Sequence, residues 1–518
     1  MRELAWLGVW VLLLPLLGAP LLSHPAYQNL SAACRFVLSA AVGAVILSFV
    51  QTLVALTGLP WRVPALALSS VAIAAGLRAL AGGSAPSPRA AREDPGRGLA
   101  GFLAAASIVI ALLLTAGGAA GSSDLLLFWG PKAQAFASAR TIDAGFLSDP
   151  RNAHMHPYYP PLVTNLFALA TAVSGGLPWG AAALTFPLLL AGLALALPSA
   201  LGNAERPWAP SAISAVVVSA LALLGAEADV AGNADAFLWL FELVGIALLL
   251  APRPIEASRL LLAGLLLAGA ATAKVEGLPF ALAAAIFLLA GRRPRHGAVR
   301  SWFLLLAPTV LSLGAWFWFG LSRRVFARYG EYGSLLDLRW ERLGLVVTQI
   351  ARAFGSSGWA LPFLVPAAVL LLGPGGSRRL PLAVGATLAV FLTATYLSPV
   401  PDPRLWIEWS ASRTFAPIGA LLALSAAAPG RGQAKYAIDS RRDTPEIQRP
   451  AEKDLGQWST TARCRPGGTS KATKARLYRS SGQASPSRVS RQPGQLVTEV
   501  AITARSRASI ERSIRGPS

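Results

Sequence analysis

The chain has 518 residues, 54% hydrophobic and 14% charged, with a mean hydropathy of +0.52. A soluble domain carries about 25% charged residues, so a soluble globular enzyme is excluded and an all-α polytopic integral membrane protein is indicated. The net charge of +21 does not imply a nucleic-acid partner, because the basic residues sit between apolar runs and in a long tail, as positive-inside topology requires.

Apolar runs near the ~20 residues that span a bilayer recur from the start. Leu4–Leu22, Phe36–Leu56 and Val63–Leu80 are candidate spans. No small-residue cleavage site follows the first, so it reads as a retained helix. Cys34 and Cys464 lie at opposite ends of the chain in unlike contexts, and indicate neither a disulfide framework nor a zinc site. Gly82–Gly98, with Arg89, Arg92 and Arg97, reads as a loop. A fourth span, Leu99–Gly121, leads to Asp124.

Asp124 to Leu162 is the longest interruption of the apolar part: Asp124, Phe128, Trp129, Lys132, then a polar run, then His154, His156, Tyr158, Tyr159, Pro160 and Pro161. Ionisable and aromatic groups in such a loop read as a site or as an interfacial anchor. Candidate spans follow at Leu162–Val173, Ala181–Leu201, Ala212–Leu224, Ala236–Leu250, Leu260–Ala273, Leu278–Ala290 and Trp302–Leu321. Beyond a basic amphipathic segment, Ser322–Arg342, come Leu343–Phe354, Trp359–Leu372, Leu382–Tyr396 and Phe415–Ala428.

Short loops at Arg253/Arg259, Arg292–Arg300 and Arg378/Arg379 read as cytoplasmic. Lys274 and Glu276 then lie at the outer tip of a hairpin, and Pro399–Arg413 falls outside. An even number of crossings must separate a cytoplasmic Arg89–Arg97 loop from Arg253. Five candidates lie between them, so one is re-entrant or half-length, with Leu162–Val173 or Ala212–Leu224 the short one. From about Pro429 the chain turns rich in Arg, Lys, Ser, Gly, Pro and Gln and carries about half of the net charge. Such a tail cannot bury enough surface to fold. It reads as an extension of no function, such as a shifted reading frame, or as a binder of anionic lipid.

Asp124 with Phe128, Trp129, Lys132 and Ala133, followed by His156, Pro157, Tyr158, Tyr159, Pro160, Pro161 and Leu162, resembles the polyprenyl-phosphate-sugar-dependent glycosyltransferases of the GT-C fold. That superfamily includes the protein O-mannosyltransferases, the lipid A aminoarabinose transferases and the rhizobial lipopolysaccharide galacturonosyltransferases. Asp229 and Asp235 look like its second acidic site, and Lys274, Val275, Glu276 and Gly277 like its bacterial Lys-x-Glu-Gly turn. The resemblance covers about Leu99 to Leu424, with three helices ahead of the usual first one. It implies a GT-C-like helical bundle with a large extracytoplasmic loop after an early helix. The chain then divides into additional helices and a basic loop at 1–98, the catalytic module at 99–429 and the basic tail at 430–518. The implied activity is transfer of a sugar from a polyprenyl-phosphate donor to an extracytoplasmic acceptor (glycolipid, glycan or protein) at a bacterial inner membrane. The alternative is a transporter or flippase of lipid-linked glycans, although no internal repeat of the kind transporters carry stands out.

Such a transfer needs a carboxylate to take the acceptor proton and cations to stabilise the departing phosphate. Asp124 is the candidate base, or else a helix-end carboxylate. Lys132 binds the phosphate or snorkels. Arg323, Arg324 and Arg328, with Tyr329 and Tyr332, suit a lipid phosphate or a membrane-surface helix. His154, His156 and Tyr158 are candidate donor or acceptor contacts, and their spacing is weak support for a divalent cation. No other cofactor is called for. Asp229 and Asp235 serve the substrate or cap a helix, and Lys274 and Glu276 serve it or pair with each other. Glu408 and Arg413, flanking Trp409, read as a polar belt. Walker, dinucleotide and zinc-protease motifs are absent.

Overall fold

The structure, a computed structural model, describes residues 1–61, 97–117, 122–202, 209–227, 230–250, 255–291, 297–328, 338–355, 379–398 and 403–427. Contacts divide the chain into Met1–Pro445 and Glu446–Ser518, and every described residue belongs to the first unit. The candidate spans Val63–Leu80 and Trp359–Leu372, and the tail from residue 428, lie outside the described residues.

The described residues form helices without a strand, and six of these helices are long and apolar enough to cross a membrane. In chain order they are α1 (Arg2–Leu22) and α2 (Ala32–Thr57), α3 (Arg97–Gly117), α4 (Gly130–Ala139), α5 (Leu162–Ser174), α6 (Thr185–Leu201) and α7 (Ala209–Glu227). There follow α8 (Asp235–Leu250), α9 (Ala257–Ala273), α10 (Gly277–Gly291), α11 (Ala298–Ser322), α12 (Leu343–Gly355), α13 (Arg379–Leu397) and α14 (Pro403–Ala427).

The burial pattern is that of a membrane bundle. Every residue of α8 is buried, as a helix apolar all round must be when it lies at the centre. By contrast α3 exposes Leu99, Phe102, Val109 and Leu113, and α11 exposes Phe303, Val310, Phe317 and Trp318. Soluble monomers rarely leave such contiguous apolar faces uncovered; lipid covers them. This is an all-α polytopic membrane protein. Close helix contact uses small residues: Gly18 of α1 lies against the Ser39 carbonyl of α2, and Gly43 of α2 against the Leu14 carbonyl of α1.

Hydrogen bonds between elements define two ends of the bundle. At one, the Tyr27 hydroxyl donates to the Ser258 carbonyl at 2.8 Å and Arg259 to the Ala200 carbonyl at 2.6 Å. At the other, the Ser122 amide donates to the Ala231 carbonyl and the Arg339 amide to the Leu397 carbonyl. This second end holds Asp124, Asp235 and Lys274.

The short helix is α5. Its 13 residues reach about 20 Å, against ~30 Å of bilayer hydrocarbon. Gly175 ends it with φ of 72°, and the chain turns back so that Trp179 packs directly on Gly130 of α4. Both ends of α5 therefore lie at the Asp124 end. The four helices α3, α6, α7 and α8 then lie between Arg97 and Leu250, of which α3 and α6 are long and apolar enough to cross.

One expectation is corrected. The last span is expected to begin at Phe415, but Pro403–Ala427 is one continuous helix, which places Arg413 about 15 Å along it. The next proline explains how Arg413 is held. Pro417 has no N–H to give the carbonyl four residues back, which is that of Arg413, and the Trp239 indole of α8 donates to that carbonyl instead at 3.3 Å.

Candidate functional site

A cavity of about 400 Å³ opens where the 124–162 segment meets α8, α9, α13 and α14. Its polar wall is Asp124, Lys132, His156, Asp235, Lys274, Glu276 and Arg413; its apolar wall is Phe128, Trp129, Met155, Leu392, Leu405 and Trp406.

Each charged group arrives by a local device. Asp124 stands at the start of a turn of π-helix, Leu125–Trp129, that runs straight into α4. Pro131 at the start of α4 keeps that helix without needing an amide donor, and Lys132 falls in its first turn. Asp235 opens α8, its amide held by the Asn233 side chain at 2.9 Å. α9 stops at Lys274 because that residue is extended, with φ −154° and ψ 153°. The tight turn to Glu276 then starts α10 at Gly277, which sits hard against the Ala270 backbone.

The charges alternate in one chain. Asp124 Oδ2 lies 2.6 Å from Arg413 Nη1. Arg413 Nε is 3.5 Å from Asp235 Oδ2, Asp235 Oδ1 is 2.7 Å from Lys274 Nζ, and Lys274 Nζ is 3.3 Å from Glu276 Oε1. Three carboxylates and two cations make a formal charge of −1. Buried charges are stable only when paired in this way. Asp235 Oδ2 and Arg413 Nε face each other at 3.5 Å without a well-formed hydrogen bond, and Glu276 Oε2 is buried without one.

Lys132 stands beside this chain. Its ammonium lies 4.3 Å over the Trp129 ring, a cation–π contact, and donates to the His156 carbonyl at 3.5 Å. Burial holds its amine down to about 7, with Asp124 pulling the other way. His156 has φ of 48°, its Nδ1 lies 2.6 Å from the Tyr158 hydroxyl, and its ring stacks on Tyr159. Burial, and then the neighbouring cations Lys132, Lys274 and Arg413, push this imidazole down to about 3. It is therefore neutral at physiological pH and serves as a hydrogen-bonding wall.

Of the residues singled out in the sequence, Asp124, Lys132, His156, Asp235, Lys274 and Glu276 line the one cavity. Lys274 and Glu276 pair with each other at 3.3 Å and also line the cavity. Tyr158 supports His156 from outside the lining. His154 is exposed, its Nδ1 3.1 Å from the Arg151 carbonyl oxygen. Among the described residues no three His, Cys, Asp or Glu side chains come together to hold a metal.

The basic patch sits elsewhere. Arg323 donates to the carbonyls of Ala55 and Leu56 at 3.3 and 3.1 Å, closing the C-terminal end of α2 where helix carbonyls lack partners. Arg324 is exposed, and neither residue lines the cavity. Asp229 and the Arg328 side chain lie outside the described residues.

Two residues missed in the sequence matter here. Arg413, read as a polar belt, is the central cation. Tyr396 closes the cavity floor, its hydroxyl 2.8 Å from Ser410 Oγ and 3.2 Å from Thr414 Oγ1. The serine and threonine at i−3 and i+1 of Arg413 were the available signal: a polar stripe at helical spacing inside a stretch taken for loop. No family model, curated protein or solved structure matches the chain.

Proposed function

We propose that the protein is a membrane glycosyltransferase that moves a sugar from a polyprenyl-phosphate donor to a hydroxyl acceptor, on the side of a bacterial plasma membrane away from the cytoplasm. One observation carries this reading: three carboxylates, the three basic side chains Lys132, Lys274 and Arg413, and an apolar wall line a single cavity. A ligand with an anionic head and a hydrocarbon tail matches that division, and most such cavities take ligands that match their lining. The starts of α3, α9, α11 and α13, whose basic loops read as cytoplasmic, lie at the end away from the cavity, which supports the orientation.

In this reading Asp124 takes the proton from the acceptor hydroxyl as its oxygen attacks the anomeric carbon. The bond from that carbon to the phosphate oxygen breaks on the opposite face, which inverts the configuration. Lys132 and Arg413 stabilise the charge gathering on the departing phosphate, in a site that largely excludes water.

The test is made on purified protein in vesicles with a panel of polyprenyl-phosphate sugars labelled in the sugar. The proposal expects label on the acceptor and unlabelled polyprenyl phosphate left behind. Label crossing the bilayer still attached to its lipid supports the flippase instead.

A further inference from the structure

Arg413 holds two carboxylates, but they are not equivalent. Asp235 has a second cation, Lys274 at 2.7 Å, and would remain neutralised without the guanidinium. Asp124 has Arg413 as its ion-pair partner among the described residues. With Nη1 of a guanidinium 2.6 Å from its Oδ2, Asp124 already has that oxygen engaged by a charged donor, and a hydroxyl must compete with the guanidinium for it. The arrangement as it stands therefore masks the group assigned as base.

Lys132 feels the charge of Asp124 and is buried over Trp129, facing the same cavity. An anion between Lys132 and Arg413 competes with Asp124 for the guanidinium. A phosphate offers more charge and more acceptor oxygens than a carboxylate, and guanidinium groups grip phosphate through paired parallel hydrogen bonds. The Arg413 backbone is fixed by Trp239, so the change is a swing of the side chain alone.

We propose that Arg413 is a phosphate-recruited latch on Asp124. The donor phosphate draws the guanidinium off the carboxylate, and only then is Asp124 free to take a proton. The donor thus binds before the acceptor is activated, and the base stays masked in an empty cavity. This rests on the lipid-phosphate reading of the site. By linkage, whatever the phosphate does to the Arg413–Asp124 contact, loss of that contact must do to phosphate affinity.

The experiment measures binding of farnesyl phosphate, without sugar or acceptor, to the full chain in detergent through quenching of the cavity tryptophans. Asp124→Asn removes the competitor and is expected to tighten the probe about tenfold, the scale of one charge-assisted hydrogen bond. In the Arg413→Gln background the same change is expected to alter binding by less than about twofold, since no latch remains to release. Should Arg413→Gln fail to fold, Arg413→Lys replaces it, because a lysine point charge cannot reproduce the guanidinium fork; the effect of Asp124→Asn is then expected to fall below about threefold. Equal tightening in both backgrounds overturns the latch and leaves simple charge repulsion, as does no tightening in either. An unaltered chain that does not bind the probe at all overturns the lipid-phosphate reading itself.

Discussion

Arg413 Nη1 lies 2.6 Å from Asp124 Oδ2, across 289 residues of sequence. The contact joins α14, the last described helix, to the polar segment that follows α3, and both side chains are mostly buried. It makes the two partners unequal in stability as well as in chemistry.

Arg413→Ala would take a cation from two carboxylates and strand one of them, Asp124, since Asp235 keeps Lys274. Removing one partner of a buried pair costs about 3–5 kcal/mol. Asp124→Asn leaves Arg413 paired with Asp235 and keeps an oxygen to accept from it, so a loss below about 1.5 kcal/mol is expected. Thermal unfolding in detergent checks this asymmetry; equal losses would show that Asp124 and Asp235 share Arg413 evenly.

Gly277→Ala should act at a distance from the chemistry. The new methyl group would meet the Ala270 carbonyl, and backbone there cannot yield as a side chain can. Overpacking of this kind costs about 1–3 kcal/mol. Because the turn carries Lys274 and Glu276, substrate binding should fall as well. A variant with normal stability and normal binding would mean that the turn does not position them.

The pH dependence should follow Lys132. Its amine is held at about 7 by burial, below the ordinary lysine value, so stability from this group rises as pH climbs from about 7 toward the lysine range. Anion binding runs the other way, because it needs the ammonium. Farnesyl phosphate binding should weaken about tenfold from about pH 6 to about pH 9. Lys132→Arg should flatten the profile, since arginine stays charged. His156, pushed down to about 3, contributes nothing in this window, and a profile lost in His156→Asn but kept in Lys132→Arg would reverse the assignment.

Arg323→Ala should leave phosphate binding unchanged and lower stability by about 1 kcal/mol, through the lost bonds to the Ala55 and Leu56 carbonyls. Weakened phosphate binding at normal stability would return Arg323 to the site.

Charge inside an apolar run is what the sequence makes visible. Asp124, Lys132, Asp235, Lys274 and Glu276 each interrupt one, and all five line the cavity. Arg413 was hidden for the opposite reason. Asp402, Arg404 and Glu408 precede it, so the first half of α14 reads as loop, and only a pairing 289 residues long identifies its role. A basic amphipathic patch looks alike in sequence whether it faces a phosphate or closes a helix end, and in the fold Arg323 bonds the last carbonyls of α2. The shortness of α5 was legible from its length and from the parity of the basic loops, but which of two short runs turned back was settled by Trp179 meeting Gly130.

The account stands most directly on the chemistry of Asp124. Asparagine keeps the shape and a hydrogen-bonding oxygen but cannot take up the proton, and a general base contributes about 100- to 10,000-fold in rate. The measurement is transfer of labelled sugar from polyprenyl-phosphate donor in reconstituted vesicles, at matched protein level, alongside farnesyl phosphate binding. Asp124→Asn is expected to lose at least about 100-fold in transfer while binding the phosphate more tightly than the unaltered chain. Near-normal transfer by the Asn variant would contradict the account and leave Asp124 as a partner that only positions Arg413.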